Sequence, residues 1–309
     1  MSVDLSTSLG TLKLSAPTLT ASGCAAAGRE LAQFGDVAAL GGVVTKSIML
    51  NARSGRPTPR MAETPSGMLN SIGLQGPGVE QFIEKDLAWL VEHGVTTIVS
   101  IAGGTVAEFG ELARRLRDVP GIAALEVNIS CPNVESRGQV FACNHESASD
   151  VIRTVRSEWN DQTPILAKLT PDVTDIVSIA HSVVEAGADG LSMINTLLGM
   201  VIDVDAMKPM LGGKTGGLSG PAIRPVAVRA VYQVHAALPK TPILGMGGIR
   251  TGHDALEFLA AGASALSIGT VVFGDPSAPW RIARELGEEL EKRGYQSVRE
   301  VIGKAHQAG

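Results

Sequence analysis

The sequence predicts a single (β/α)8 TIM barrel over residues 1–309, with a short N-terminal hairpin and long active-site loops. Short apolar or β-branched runs recur eight times, and helical stretches lie between them. Continuous apolar runs are typical of strands buried on both faces, as in parallel sheets. Eight regular units in one uninterrupted series favour a closed barrel over a doubly wound sheet. The strands are predicted at residues 19–23, 42–47, 97–102, 124–130, 165–170, 190–195, 243–247 and 265–269.

Helices are predicted between the strands from apolar spacing and from the residues at their ends. Residues 79–93 carry apolar side chains at near-helical spacing. An Asp begins the runs 175–186 and 254–261, where its side chain can accept the first free backbone N–H groups. A Gly directly before the next strand is typical of a compact turn after a helix. Three helices are therefore predicted to end at Gly94, Gly187 and Gly262.

The remaining segments are predicted to lie at the two ends of the barrel. Residues 2–17 alternate weakly and are expected to form a hairpin over the barrel bottom. Three long connections, at 50–77, 132–145 and 197–221, follow the C-terminal ends of strands. Barrels of this kind build their active sites at that end, so these connections are expected to carry function.

Composition excludes several classes of protein. The formal net charge is −5 and no basic stripe appears, so a nucleic-acid partner is not expected. No apolar run is long enough to span a membrane, and no signal peptide is evident. The odd count of three cysteines favours a reducing cytoplasm, and three thiolates cannot by themselves hold an ordinary iron–sulfur cluster. The set Cys131, Cys143 and His145 matches no familiar zinc spacing, so no metal is predicted.

Glycines after the last two strands predict a phosphate site. Gly247 and Gly248 follow the seventh strand, and Gly269 and Thr270 follow the eighth. This is where barrels commonly bind phosphate through backbone N–H groups, although two ordinary turns are the alternative. The segments that resemble a P-loop or a dinucleotide fingerprint each lack a required Gly, so the chain shows no NAD or ATP motif.

Two lysines, Lys46 and Lys168, stand at buried strand ends. They would repel each other without an anion between them, so an anionic ligand or reduced cofactor is the preferred interpretation. A Schiff-base lysine is a second interpretation. A structural ion pair with a neighbouring carboxylate is the third.

A cysteine and four amides stand at the predicted mouth. Cys131 follows the fourth strand, where a thiolate would act as base or nucleophile; a buried structural thiol is the alternative. Amides offer donors and acceptors without charge, which suits a planar ligand such as a pyrimidine. The amides are Asn70, Asn128, Asn133 and Asn195.

The combined motifs resemble the class 1 dihydroorotate dehydrogenases, most closely the NAD-linked class 1B type. Asn128-Ile-Ser-Cys131-Pro-Asn133 is similar to that family's active-site loop, and Asn70-Ser-Ile-Gly73-Leu74 to its substrate loop. Further matches follow in order at Lys168-Leu-Thr-Pro, Ile194-Asn195-Thr196, Gly217-Leu-Ser-Gly220 and Gly247-Gly248-Ile. Class 2 enzymes use Ser as the base. The resemblance implies a flavin barrel that oxidises dihydroorotate to orotate in pyrimidine (UMP) biosynthesis.

The resemblance also implies a role for each matching residue. Cys131 would be the base, with hydride transfer from the substrate to FMN. FMN would contact Ser22, Lys46, Ser47, Ser100, Asn128, Lys168, Ile194, Gly220, Gly247, Gly248, Gly269 and Thr270. Dihydroorotate would contact Lys46, Asn70, Ser71, Ile72, Gly73, Leu74, Asn128, Asn133, Asn195 and Thr196. Ser100 stands where the family usually has Asn, and Gly76 also departs from the family pattern.

The class 1B resemblance further implies partner proteins. The catalytic subunit would form a homodimer core and pass electrons to NAD through a partner subunit that carries FAD and a [2Fe–2S] cluster. Three alternatives remain open: a dihydropyrimidine dehydrogenase-like oxidoreductase, a flavin-free aldolase that uses Lys46 or Lys168 as a Schiff base, and a non-catalytic barrel that binds a partner. Dihydroorotate carries a carboxylate that dihydrouracil lacks, so an extra anion site would separate the first alternative from the main interpretation.

Overall fold

Eight parallel strands form a closed barrel in the computed structural model, which describes residues 3–130, 132–133, 139–160 and 162–307. Every strand predicted from an apolar run is present, so the predicted (β/α)8 barrel is confirmed. Around the barrel, neighbouring strands follow chain order. An N-terminal ribbon, β1 (Thr7–Leu9) and β2 (Leu12–Leu14), precedes it. The barrel strands are β3 (Thr18–Thr20), β4 (Gly42–Val44), β7 (Thr97–Ile101), β8 (Ile122–Asn128), β11 (Ile165–Leu169), β12 (Gly190–Met193), β17 (Ile243–Gly245) and β18 (Ala265–Ile268).

The strands end before the predicted apolar runs do. Strand β4 ends at Val44 and β12 at Met193, whereas the predictions extended to residues 47 and 195. Residues just beyond these strand ends, among them Lys46, Ser47 and Asn195, line the cavity above the barrel. The predicted runs therefore included polar cavity residues that lie beyond the ends of the strands.

Helices surround the barrel and cover the outer face of the strands. They are α1 (Val79–Gln81), which continues through a π-helical segment (Phe82–Leu87) into α2 (Ala88–Glu92), α3 (Val106–Leu116), α4 (His145–Glu158), α5 (Ile176–Glu185), α6 (Arg224–Ala237), α7 (Gly252–Ala261) and α8 (Ala278–Lys292). Shorter 3-10 helices cover Leu31–Gln33, Val37–Ala39, Phe141–Cys143, Pro221–Ile223, Thr270–Phe273, Val298–Val301 and Lys304–Gln307. The helix predicted at 79–93 is present, and its π-helical turn places Phe82 and Leu87, five residues apart, in the core together.

The helix ends confirm all but one of the predicted caps. Asp175 caps α5 by accepting from the N–H groups of Val177 and Ser178. The predicted Asp254 cap is wrong, because α7 starts earlier and Thr251 is its N-cap. Asp254 is instead the third helical residue of a capping box, in which its carboxylate accepts from the Thr251 N–H and the Thr251 hydroxyl accepts from the Asp254 N–H. The glycines predicted to end three helices have φ angles of +64° (Gly94), +110° (Gly187) and +118° (Gly262).

The N-terminal ribbon closes the bottom of the barrel, as predicted. Leu9 and Leu14 are buried in one apolar cluster with Leu19, Val44 and Ile98, which lie on three different barrel strands. The ribbon therefore excludes water from the end of the barrel opposite the long connections.

Two of the long connections fold together into a sheet that was not predicted. Strands β5 (Met61–Thr64) and β6 (Gly67–Asn70) come from the first connection, and β13 (Leu197–Gly199) and β16 (Gly216–Ser219) from the third. They form one antiparallel sheet in the order β13-β16-β6-β5. A ribbon, β14 (Ile202–Asp203) and β15 (Lys208–Pro209), extends from it, and β9 (Pro132–Asn133) pairs with β10 (Gln139–Val140) in the second connection. Among the described residues, no helix is both long and apolar enough to cross a membrane.

Candidate active site

A cavity of about 1420 Å³ opens at the C-terminal ends of the barrel strands, beside the added sheet. Nearly all the residues singled out in the sequence line it: Ser22, Lys46, Ser47, Asn70, Ser71, Ile72, Gly73, Leu74, Asn128, Lys168, Ile194, Asn195, Thr196, Gly220, Gly247, Gly248, Gly269 and Thr270. Ser100 is fully buried and does not line the cavity. Cys131 lies outside the described residues, and only the backbone of Asn133 is described. The fold thus brings together residues that are spread over about 250 positions of sequence.

A chain of hydroxyl groups connects the cavity wall to the barrel interior. The Oγ atoms of Ser22 and Ser47 are 3.3 Å apart, and those of Ser47 and Ser100 are 3.0 Å apart. Asn128 Nδ2 also donates to Ser47 Oγ, at 3.1 Å. Ser100 therefore contacts a cavity-lining side chain rather than the cavity itself.

A buried ion pair lies at the inner end of this chain, and one of its members was not predicted as a site residue. Lys168 Nζ is 3.6 Å from Glu126 Oε1, and Ser100 Oγ donates to the same oxygen at 2.9 Å. Both ionised side chains are almost completely buried. The structure therefore supports the interpretation of Lys168 as a member of a structural ion pair. Lys168 also lines the cavity. Glu126 could have been identified from the sequence, because it is a charged residue inside the apolar run 124–130 and a buried charge requires a partner.

The second lysine, Lys46, lies on the same wall, with Cys24 close to both lysines. Burial raises the pKa of the Cys24 thiol to about 11, and the positive charges of Lys168 and Lys46 oppose that shift. Cys24 lines the cavity as well. Two cations and a neutral thiol therefore form one side of the cavity.

Glycines also line the cavity, at the turns where a phosphate was predicted. Gly247 and Gly248 have φ angles of +127° and +84°, in the left-handed region that favours glycine. A Cβ atom on Gly248 would lie 2.7 Å from the carbonyl oxygen of Gly220, and one on Gly247 would lie 2.7 Å from Ala227 Cβ. Both positions therefore require glycine, because a side chain would collide with the neighbouring protein atoms and would have to move the backbone that lines the cavity.

The loop predicted to bind substrate follows β6 and is held from two sides. Asn70 Nδ2 donates to the Gly217 carbonyl at 3.3 Å, on β16. Arg56 Nη1 donates to Ser71 Oγ at 3.0 Å, and the Arg56 N–H donates to the Ile72 carbonyl at 3.0 Å. Arg56 lines the cavity but was not predicted as a site residue. The three arginines at 53, 56 and 60 were a signal, because a cation-rich loop beside a barrel mouth indicates an anionic ligand.

Several polar atoms at this end of the barrel have no hydrogen-bond partner among the described residues. They include Ser130 Oγ, on the cavity wall, and the second carboxylate oxygen of Glu126. Buried polar atoms are normally satisfied, so the cavity is built for a polar ligand. No group of three His, Cys, Asp or Glu side chains suited to a metal occurs within the described ranges.

The chain is similar to known proteins over nearly its whole length. The sequence model of one family, described as Dihydroorotate dehydrogenase, matches residues 4–290. A relative from Desulforudis audaxviator (strain MP104C), named "Dihydroorotate dehydrogenase B (NAD(+)), catalytic subunit", is 49% identical over 309 residues, which are 100% of both chains. Relatives of the same name from Geobacter sp. (strain M21) and Anoxybacillus flavithermus (strain DSM 21510 / WK1) are 47% and 48% identical. The first covers 97% of each chain, and the second covers 99% of this chain and 97% of its own.

Proposed function

This chain belongs to the dihydroorotate dehydrogenase family, and from that premise we propose that it oxidises dihydroorotate to orotate in pyrimidine biosynthesis, with NAD⁺ as the final electron acceptor. The observation that carries the proposal is the cavity at the strand ends, which is lined by nearly every residue that the family resemblance assigns to FMN and substrate. Full-length relatives named as NAD⁺-linked catalytic subunits support the choice of acceptor.

FMN is the cofactor that fits the chemistry of the residues lining this cavity. The cradle at Gly247, Gly248 and Gly269-Thr270 suits the phosphate group, since backbone N–H groups bind anions where no side chain intervenes. The polar side with Lys46, Asn128 and Lys168 suits a flavin ring that gains negative charge. The rest of the cofactor would contact Ser22, Ser47, Ile194 and Gly220. When bound, FMN supplies the two-electron acceptor for the oxidation.

The amides and cations of the cavity suit a carboxylated pyrimidine. Asn70, Asn128 and Asn195 present donors and acceptors for the ring carbonyl and N–H groups. Lys46 and Arg56 are the cations for the carboxylate. Within the described ranges, no carboxylate lies within 4 Å of the Arg56 guanidinium, so its charge is available to a ligand. This extra cation favours dihydroorotate over dihydrouracil, and hence the main proposal over a dihydropyrimidine dehydrogenase-like activity.

Cys131 is the proposed base, whose thiolate takes the proton from C5 of dihydroorotate. The residues before it are fixed, because the Ser130 N–H donates to Asn128 Oδ1 at 3.2 Å. The variant Cys131→Ser is expected to lose several orders of magnitude of turnover at neutral pH while keeping FMN, since a hydroxyl is a much weaker acid than a thiol and is rarely ionised at that pH. Near-normal turnover of that variant would exclude the assignment.

An aldolase is disfavoured by the ion pair at the barrel floor. A Schiff-base lysine must present its amine to a carbonyl substrate, whereas Lys168 Nζ is engaged in an ion pair with the buried Glu126 carboxylate at 3.6 Å. Parallel assays separate the three candidates. The main proposal predicts anaerobic flavin reduction by dihydroorotate that is much faster than by dihydrouracil, with no trapping of a carbonyl substrate by borohydride. Faster flavin reduction by dihydrouracil would favour a dihydropyrimidine dehydrogenase-like activity. A colourless protein that borohydride traps on a carbonyl substrate would favour the aldolase.

The relatives' names describe a catalytic subunit, which supports a partner subunit for this chain as well. We propose that this partner carries FAD and a [2Fe–2S] cluster, that two copies of the catalytic chain form a homodimer core, and that the assembly acts in the cytoplasm. Large apolar side chains on and around the β14–β15 ribbon are exposed, including Val204 (73%) and Met207 (81%). Exposed apolar clusters of this kind are typical of protein contacts.

A further inference from the structure

The buried carboxylate Glu126 is not used by the reaction as proposed, yet it contacts groups on both sides of the cavity floor. Its exposed fraction is 0%. The register of the strands puts Glu126 between these groups. Ser100 on β7 pairs with Glu126 on β8, and Lys168 on β11 pairs with Asn128 on β8. Residues two apart on one strand share a face, so Glu126 and Asn128 point into the barrel together.

From this arrangement we propose that Glu126 is a positioning residue of the flavin site, which sets the charge balance at Lys168 and the direction of the serine hydrogen bonds. The inference rests on the proposed function, because it concerns the FMN that this cavity would hold. Glu126 itself does not line the cavity, and it acts through Lys168 and Ser100.

The first effect is electrostatic. The Lys168 ammonium faces the cavity, and its counter-ion is 3.6 Å behind it. A single buried cation would strongly favour the negatively charged reduced flavin, whereas a cation with a paired carboxylate favours it less. Glu126 thereby keeps the reduction potential of the bound flavin lower than Lys168 alone would make it.

The second effect concerns the direction of the hydrogen bonds between the serine hydroxyl groups, each of which has a single proton to donate. A carboxylate only accepts, so the single Ser100 O–H is committed to Glu126. Ser47 must then donate to Ser100, and Ser22 must donate to Ser47. Ser47 also accepts from Asn128, so its hydroxyl has used its donor and both acceptor positions. Ser22 is left presenting only acceptor lone pairs to the cavity.

The test measures the reduction potential of bound FMN in the full-length protein, by spectroelectrochemical titration. Glu126→Gln keeps the size of the side chain and removes its charge. We expect this variant to prefer reduced over oxidised FMN at least about tenfold more than the wild type, a shift of about 30 mV to more positive potential for a two-electron couple. An unchanged or more negative potential would overturn the electrostatic role.

Ser100→Ala is the matched second variant and remains informative if Glu126→Gln fails to fold. It keeps the Lys168–Glu126 pair but removes the acceptor of the Ser47 proton. We expect its potential to stay close to that of the wild type while its Kd for FMN, measured by quenching of flavin fluorescence, rises about tenfold. Unchanged affinity would overturn the directional role. A wild-type protein that binds no FMN would instead refute the proposed function, so the two failures are distinguishable.

Discussion

Lys168 Nζ lies 3.6 Å from Glu126 Oε1, and both side chains are shielded from solvent in the barrel interior. A lysine that was expected to neutralise a ligand therefore carries its own counter-ion. The further cations that line the cavity are Lys46 and Arg56.

Replacing one member of this pair is expected to destabilise the fold. Lys168→Met leaves the Glu126 carboxylate buried without a cation, which lowers the free energy of unfolding by about 3–5 kcal/mol. The double variant Glu126→Gln with Lys168→Met removes both charges and should recover part of that loss. Urea unfolding at one fixed FMN concentration measures both changes. Lys208→Met, at an exposed position, is the control and should shift stability by less than about 0.5 kcal/mol. A double variant no more stable than Lys168→Met would contradict this account.

The glycine cradle is expected to control cofactor affinity. Gly248→Ala places a Cβ atom 2.7 Å from the Gly220 carbonyl oxygen and strains a residue at φ +84°, so the Kd for FMN should rise at least about tenfold. Gly94→Ala is the matched control: its φ is +64°, but no atom lies within 4 Å of the added carbon. It should lower the free energy of unfolding by about 1 kcal/mol and leave FMN affinity unchanged. Equal FMN affinity in the two variants would argue against a cradle at Gly248.

Arg56 is expected to select for the substrate carboxylate. Arg56→Gln removes a charge-assisted contact worth about 1.5–3 kcal/mol, so the KM for dihydroorotate should rise about 10- to 100-fold. The slow reduction by dihydrouracil should change much less, because that compound has no carboxylate and loses only the effect of the Arg56–Ser71 contact that holds the loop. Steady-state kinetics with both substrates measure the effect. Arg229→Gln, on the exposed face of α6, removes the same charge far from the cavity and should leave the KM unaltered. A normal KM in Arg56→Gln would assign the carboxylate to Lys46 alone.

The Cys24 thiol is expected to resist alkylation at neutral pH. Its pKa is raised to about 11 by burial, so below pH 11 the neutral thiol predominates and only about one molecule in a thousand is a thiolate at pH 8. Iodoacetamide should label the exposed Cys143 before Cys24, and labelling of Cys24 should accelerate about tenfold per pH unit from pH 8 to 10. Peptide mass mapping follows both sites. Labelling of Cys24 as fast as Cys143 at pH 8 would contradict the raised pKa of the Cys24 thiol.

The barrel could be predicted from sequence because its signal is local. Each strand is a short apolar run, and each αβ turn after α2, α5 and α7 has a glycine at its predicted place. The added sheet could not be predicted, because Gly217 pairs with Asn70 across 147 residues and neither strand has an apolar repeat. The Asp254 cap failed for a related reason: Asp and Thr both suit the N-cap, and only the folded geometry shows which of them is the cap.

The site was predicted where the chemistry is carried by side chains at strand ends. Lys46, Asn128 and Lys168 all line the cavity. Glu126 was missed because it lies within an apolar strand, and Arg56 because a polar loop gives no sign of which side chain turns inward. The role of Cys131 stays a prediction, since that residue lies outside the described part of the chain.

The most direct test of the central proposal is a visible absorption spectrum of the purified protein before and after anaerobic addition of dihydroorotate. We expect a yellow protein whose flavin band bleaches at once, because the cavity would hold FMN and the substrate together. A flavin band that dihydroorotate does not change would contradict the assigned substrate. A colourless protein that cannot be reconstituted with FMN would contradict the assigned cofactor, and with it the whole account of the site.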